Sequence, residues 1–68
     1  MMDKLFEPAK FEDVRKGDIV FRIEDQDDVQ FILRKTRNIL KAENLASGKT
    51  SWITKMKFDL KAYVFLEK

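Results

Sequence analysis

The sequence predicts a mainly β fold: a five-stranded antiparallel small barrel with an irregular N-terminal segment over residues 1–16. Three observations carry this reading. From residue 17 onward, side chains alternate with period two, the spacing of a strand with one buried face. Turn-forming residues punctuate the pattern at Gly17-Asp18, at Thr36-Arg37-Asn38 and at Ala46-Ser47-Gly48-Lys49. Finally, the chain has 68 residues. By the scaling of surface with mass, such a chain buries only about 60% of its unfolded surface, enough for one small core. Closure into a barrel would remove the exposed strand edges that a sheet of this size tolerates badly. Residues 1–68 are read as a single domain, without internal repeat, low-complexity tract or linker.

The first strand follows the Gly17-Asp18 turn, where Ile19, Phe21 and Ile23 alternate with Val20, Arg22 and Glu24. Glu24-Asp25-Gln26-Asp27-Asp28 is polar, poor in strand formers, and reads as a solvated loop. Val29, Phe31 and Leu33 then alternate with Gln30, Ile32 and Arg34 in a second strand. The run Ile39-Leu40-Lys41-Ala42-Glu43-Asn44-Leu45 satisfies helix propensity, but its shortness and its strand-like neighbours favour a third strand. Gly48 supplies a hairpin that returns through Thr50-Ser51-Trp52-Ile53-Thr54. Met56-Lys57-Phe58 fits one tight helical turn. Leu60, Ala62, Val64 and Leu66 then alternate with Lys61, Tyr63, Phe65 and Glu67 in the last strand. Ahead of the strands, Phe6, Phe11 and Val14 are candidates to plug one end of the barrel, and Pro8 limits any helix before it.

Phe11-x-x-Val14-x-x-Gly17-Asp18-x-Val20 resembles the opening of many Src-homology-3-like (SH3-like) barrels, the Tudor and KOW groups among them. Asn44-Leu45-x-x-Gly48-Lys49-Thr50-x-Trp52-Ile53 is similar to their third and fourth strands across a glycine hairpin. The likeness spans residues 11–66 and implies an SH3-like small barrel. The chain departs from both groups, with no aromatic-rich cage segment of the Tudor type and without the glycine pattern of a KOW motif. The resemblance therefore implies a fold and carries over no binding residue. In composition, a compact, charged, cysteine-free chain of this length also resembles many phage-encoded accessory proteins.

Composition excludes most chemistry. With no cysteine there are no disulfides, thiolate zinc sites or thiol nucleophiles, and with no histidine the usual general base and commonest metal ligand are missing. Ser47 and Ser51 have no histidine to activate them. Gly48-Lys49-Thr50 ends like a phosphate loop, but that loop needs glycine where Glu43 stands. The acids of residues 24–28 lack the spacing, glycine and closing glutamate of a calcium loop. We expect no enzyme activity, no cofactor, no metal and no small-molecule substrate. The opening Met1-Met2-Asp3-Lys4-Leu5-Phe6-Glu7 does not read as a signal peptide, and no apolar run approaches the roughly 18 residues of a membrane helix. A cytoplasmic location without membrane contact is the expectation.

Charge is where the sequence points to a partner. Residues 1–28 hold nine acids against five bases, net −4, and residues 29–68 hold nine bases against three acids, net +6. Such asymmetry aims a positive face at phosphate or at an acidic protein, unless folding interleaves the two halves and neutralises them. The expected contact residues for nucleic acid, or for a nucleic-acid-processing protein, are Arg34, Lys35, Arg37, Lys41, Lys49 and Lys55. Trp52, Phe31, Tyr63 or Phe65 would add base stacking if exposed, although a domain this small needs its aromatics in the core. The alternative is a protein–protein adaptor or inhibitor, docking through the acidic residues 24–28 or an exposed strand edge. A structural subunit of a larger assembly is a third reading.

Overall fold

Five antiparallel strands form one sheet in the order β4-β3-β2-β1-β5. They are β1 (Ile19–Arg22), β2 (Asp25–Lys35), β3 (Ile39–Asn44), β4 (Thr50–Thr54) and β5 (Val64–Phe65). Among the described residues a single short helix, α1 (Lys55–Leu60), joins β4 to β5. This is a computed structural model, and it describes residues 7–66. Phe6 and Glu67, assigned above to the plug and to the last strand, lie outside them. No helix among the described residues is long and apolar enough to cross a membrane.

The expected strand order of events along the chain holds, but the ring is not closed by hydrogen bonds. Among the described residues β4 pairs with β3 alone, and β5 pairs with β1 and, at one bridge, Pro8. Closure fails for a local reason. Leu60 ends α1 instead of opening a strand, and Ala62 takes a left-handed φ of 58°, so the last strand shrinks to two residues. The seam is filled by side chains. Thr54 caps α1, its Oγ1 accepting from the Lys57 amide at 3.3 Å, and the first turn so fixed points Phe58 into the core. There Phe58 stacks on Tyr63, ring centroids 4.8 Å apart, and meets Phe11 edge-on at 6.4 Å. Ala9, Phe11 and Val14 complete the core with Val20, Ile32, Leu40, Ala42, Ile53 and Phe65.

Two sequence readings are corrected. The face of β1 and β2 that turns inward is the one carrying Val20 and Ile32, whereas Ile19, Phe21, Val29, Phe31 and Leu33 are half-buried on the other face. Alternation pointed the other way, because Ile19, Phe21, Val29, Phe31 and Leu33 are all apolar whereas Val20 and Ile32 share their phase with Arg22 and Gln30. The acidic run is also mostly not a loop. The turn is confined to Ile23 and Glu24, and residues 25–28 begin β2, with Asp28 buried.

Asp28 is held by partners from across the fold. One carboxylate oxygen accepts from Gln30 Nε2 at 2.7 Å and from the Tyr63 hydroxyl at 2.9 Å. The other lies 3.6 Å from Arg22 Nη1 and 3.8 Å from Lys61 Nζ. Burial first, then the hydrogen bond to Asp28 and its negative charge, push the Tyr63 phenol well above its ordinary 10.0.

A phenol whose folded pKa lies above its unfolded value stabilises the fold below pH 10 and loses that contribution as pH rises through the folded value. Tyr63→Phe should therefore cost about 1–3 kcal/mol at neutral pH, through the unmade bond to a buried carboxylate. Its deficit against wild type should narrow above pH 10 in denaturant melts; a deficit constant to pH 11 would contradict this account. Phe58→Ala should cost about 3–5 kcal/mol, enough to leave so small a domain largely unfolded by circular dichroism.

Candidate nucleic-acid interface

β2 runs from acid to base. Its first residues are Asp25, Gln26, Asp27 and Asp28, and its last are Arg34 and Lys35. At about 3.3 Å per residue these ends stand roughly 30 Å apart, comparable with the molecule's longest extent of 36 Å. Folding therefore keeps the charges of this strand apart. Among the described residues the ion pairs gather at the acidic end: Arg22 with Glu24 and Asp28, and Lys61 with Asp28. None engages Arg34, Arg37, Lys41 or Lys55.

At the basic end, strand register sets a row across the outer face. Arg34 lies opposite Lys41, and Lys41 lies opposite Trp52. Residues directly opposite in antiparallel strands share a face, so two cations and an indole stand side by side. Lys41 Nζ sits 5.7 Å from the Trp52 ring centroid, within cation–π range. Trp52 is 49% exposed, unlike Tyr63 and Phe65, which are in the core. Like charges directly opposite destabilise a sheet. An anion bridging Arg34 and Lys41 would relieve that repulsion.

The hairpin after β2 adds further cations. Arg37 is exposed in it, and the Asn38 carbonyl accepts from the Lys55 amide at 2.9 Å, which brings Lys55 alongside. A second group comes from the N-terminal segment. Gly17 donates to the Ile32 carbonyl at 2.8 Å and Ile32 donates to the Asp18 carbonyl at 2.9 Å. These bonds lay the preceding residues along the end of β2. The result is an open cleft of about 470 Å³ lined by Arg15, Lys16, Leu33, Arg34, Lys35 and Thr36, with Val14 at its base.

The six expected residues thus divide. Arg34, Arg37, Lys41 and Lys55 come together at one end. Lys35 does so too, but its ammonium is already engaged, donating to the Val14 carbonyl at 2.9 Å and lying 4.8 Å from the Phe11 ring centroid. Lys49 is elsewhere: it precedes β4, whereas Lys55 follows it, and six residues of extended chain separate them by about 20 Å. Arg15 and Lys16 were missed by sequence reasoning because they sit in the net-negative half. Two adjacent bases before a glycine turn were the available signal. Compared with family models, with curated proteins and with solved structures, the chain matches none.

If Lys35 is a structural cation and its neighbours are not, substitutions should separate them. Lys35→Met should cost about 1.5 kcal/mol or more, the scale of a lost charge-assisted hydrogen bond, whereas Arg34→Ala and Arg37→Ala should stay within about 0.5 kcal/mol. Urea midpoints of the three variants check this; equal losses would contradict it.

Proposed function

We propose that this chain is a non-enzymatic, SH3-like binding module of the cytoplasm that grips nucleic acid through the basic end of its sheet. The observation that carries the reading is the set of cations without carboxylate partners among the described residues, Arg34, Arg37, Lys41 and Lys55, gathered beside a half-exposed Trp52. Phosphate contacts require no more than such flexible cations, and they orient the ligand without reading its sequence. Arg15 and Lys16 extend the positive track from the sheet face into the adjoining cleft. Trp52 offers a π surface on which an unpaired base stacks, so single-stranded ligands gain a contact that duplex does not. Fold and cation positions together favour backbone binding with little sequence preference.

Fluorescence anisotropy with a labelled oligonucleotide, repeated over a range of salt concentrations, tests the proposal. Affinity should fall linearly with the logarithm of salt, and a single-stranded ligand should quench Trp52, the protein's sole tryptophan. Removing Arg34 or Lys41 should reduce the salt slope by about 0.7 per lost phosphate contact on a single strand. Lys49→Ala, remote from the cluster, should leave the slope unchanged. Binding that ignores salt, or that responds equally to Lys49→Ala and Arg34→Ala, would overturn the assignment.

A further inference from the structure

The two edges of the sheet are treated differently. Beyond β5 the chain covers its own edge: Pro8 bridges to Val64, Ala9 donates to the Tyr63 carbonyl at 2.9 Å, and Phe65 donates to the Glu7 carbonyl at 2.9 Å. A proline in that position also blocks further pairing. Beyond β4 no described residue pairs. The bonds flanking the β3–β4 ladder show which amides are left over. Asn44 donates to the Lys49 carbonyl at 2.7 Å, and Lys55 donates to the Asn38 carbonyl at 2.9 Å. Antiparallel pairs alternate between bonded and non-bonded. Ser51 and Ile53 therefore bond to β3, and the backbone groups of Thr50, Trp52 and Thr54 face outward.

Natural edges are usually blunted by charge, proline or a bulge within the strand. β4 has none of these. Its sequence Thr-Ser-Trp-Ile-Thr is rich in strand formers, and its pairing with β3 runs without a register shift. Charge stands just outside it, Lys49 before and Lys55 after, and residues 44–58 contain no acid. A second copy pairing antiparallel through β4 would set Lys49 of each chain against Lys55 of the other, which is repulsive. An extended peptide with carboxylates six residues apart would meet both lysines. Past the Lys55 end, Met56 and Leu60 are 75% and 78% exposed, one helical turn apart, and flank a shallow groove suited to an apolar side chain.

We infer that the outer edge of β4 is a strand-addition site for an acidic, extended segment of a partner protein, a function distinct from nucleic-acid binding although Lys55 serves both. Backbone bonds to Thr50, Trp52 and Thr54 supply the pairing, and Lys49 and Lys55 select for acidic ends.

The probe is a synthetic peptide of leucine followed by seven alternating threonines and valines whose first and last residues are replaced by glutamate, so that antiparallel pairing carries the leucine past Lys55 to the groove. Amide hydrogen exchange of the full chain should slow tenfold or more at Thr50, Trp52 and Thr54 on adding it, while Ser51 and Ile53 stay as they were. Thr50→Pro removes an outward amide without touching the β3 ladder and should weaken the peptide at least tenfold, with an unchanged circular dichroism spectrum. Should that variant misfold, the wild-type exchange pattern still decides. A peptide with lysine ends should bind at least tenfold more weakly. Absence of binding at millimolar peptide, or protection spread evenly over the sheet, would overturn the inference. So would a doubled mass in light scattering without peptide, or the same three amides protected by oligonucleotide instead.

Discussion

The eleven residues of β2 have to satisfy two neighbours at once, and most of the molecule follows from how they do so. Toward β1, Ile19 and Phe21 oppose Phe31 and Val29, and the register then slips so that Arg22 meets Asp25. Toward β3, a second slip between Ile32 and Arg34 leaves Leu33 as an extra residue. Such bulges bend and twist the strand, and here they fall near its two ends. The first slip accompanies the inward turn of Asp28 to its hydrogen-bond partners. The second brings Arg34 opposite Lys41 and into line with Trp52.

Much of the fold was legible because it is local. The glycine hairpin at Gly48, the return strand through Ile53 and the helical turn around Phe58 are short-range features written in residue type. What escaped was decided at long range. Asp28 reads as a solvated acid until Tyr63, thirty-five residues away, is seen donating to it. The inward face of β1 and β2 runs against the sequence pattern, since Val20 and Ile32 share it with Arg22 and Gln30, and the choice is made by Leu40, Ala42, Ile53 and Phe65 on the neighbouring strands. The same limit applies to the candidate site. Arg34 and Lys41 were identifiable as a basic cluster, but that Lys35 is spent on the Val14 carbonyl, and that Arg15 and Lys16 join from the acidic half, depends on tertiary placement.

Charge and edge divide the surface between them. At the acidic end of β2, Asp28 is consumed internally by Arg22, Lys61, Gln30 and Tyr63, while Asp25 and Asp27 stay exposed. The basic end is left facing solvent, and the open strand edge borders it. A small domain has little interior to spare, so the proposed contacts fall on the outside of the sheet and its rim.

Ala62 holds a backbone shape that suits glycine better, since its Cβ crowds the following carbonyl. That crowding costs roughly 1–2 kcal/mol, and glycine would remove it while giving back about 0.4–1 kcal/mol through a freer denatured chain. The balance favours glycine by roughly 0–1.6 kcal/mol, so alanine here is a modest cost that the fold carries. The kink persists because its neighbours over-determine it: the Asp59 carbonyl receives the Ala62 amide at 3.2 Å, and Tyr63 beyond is pinned between Phe58 and Asp28. One methyl group thus records how firmly the aromatic seam dictates the path of the chain, in place of the backbone's own preference.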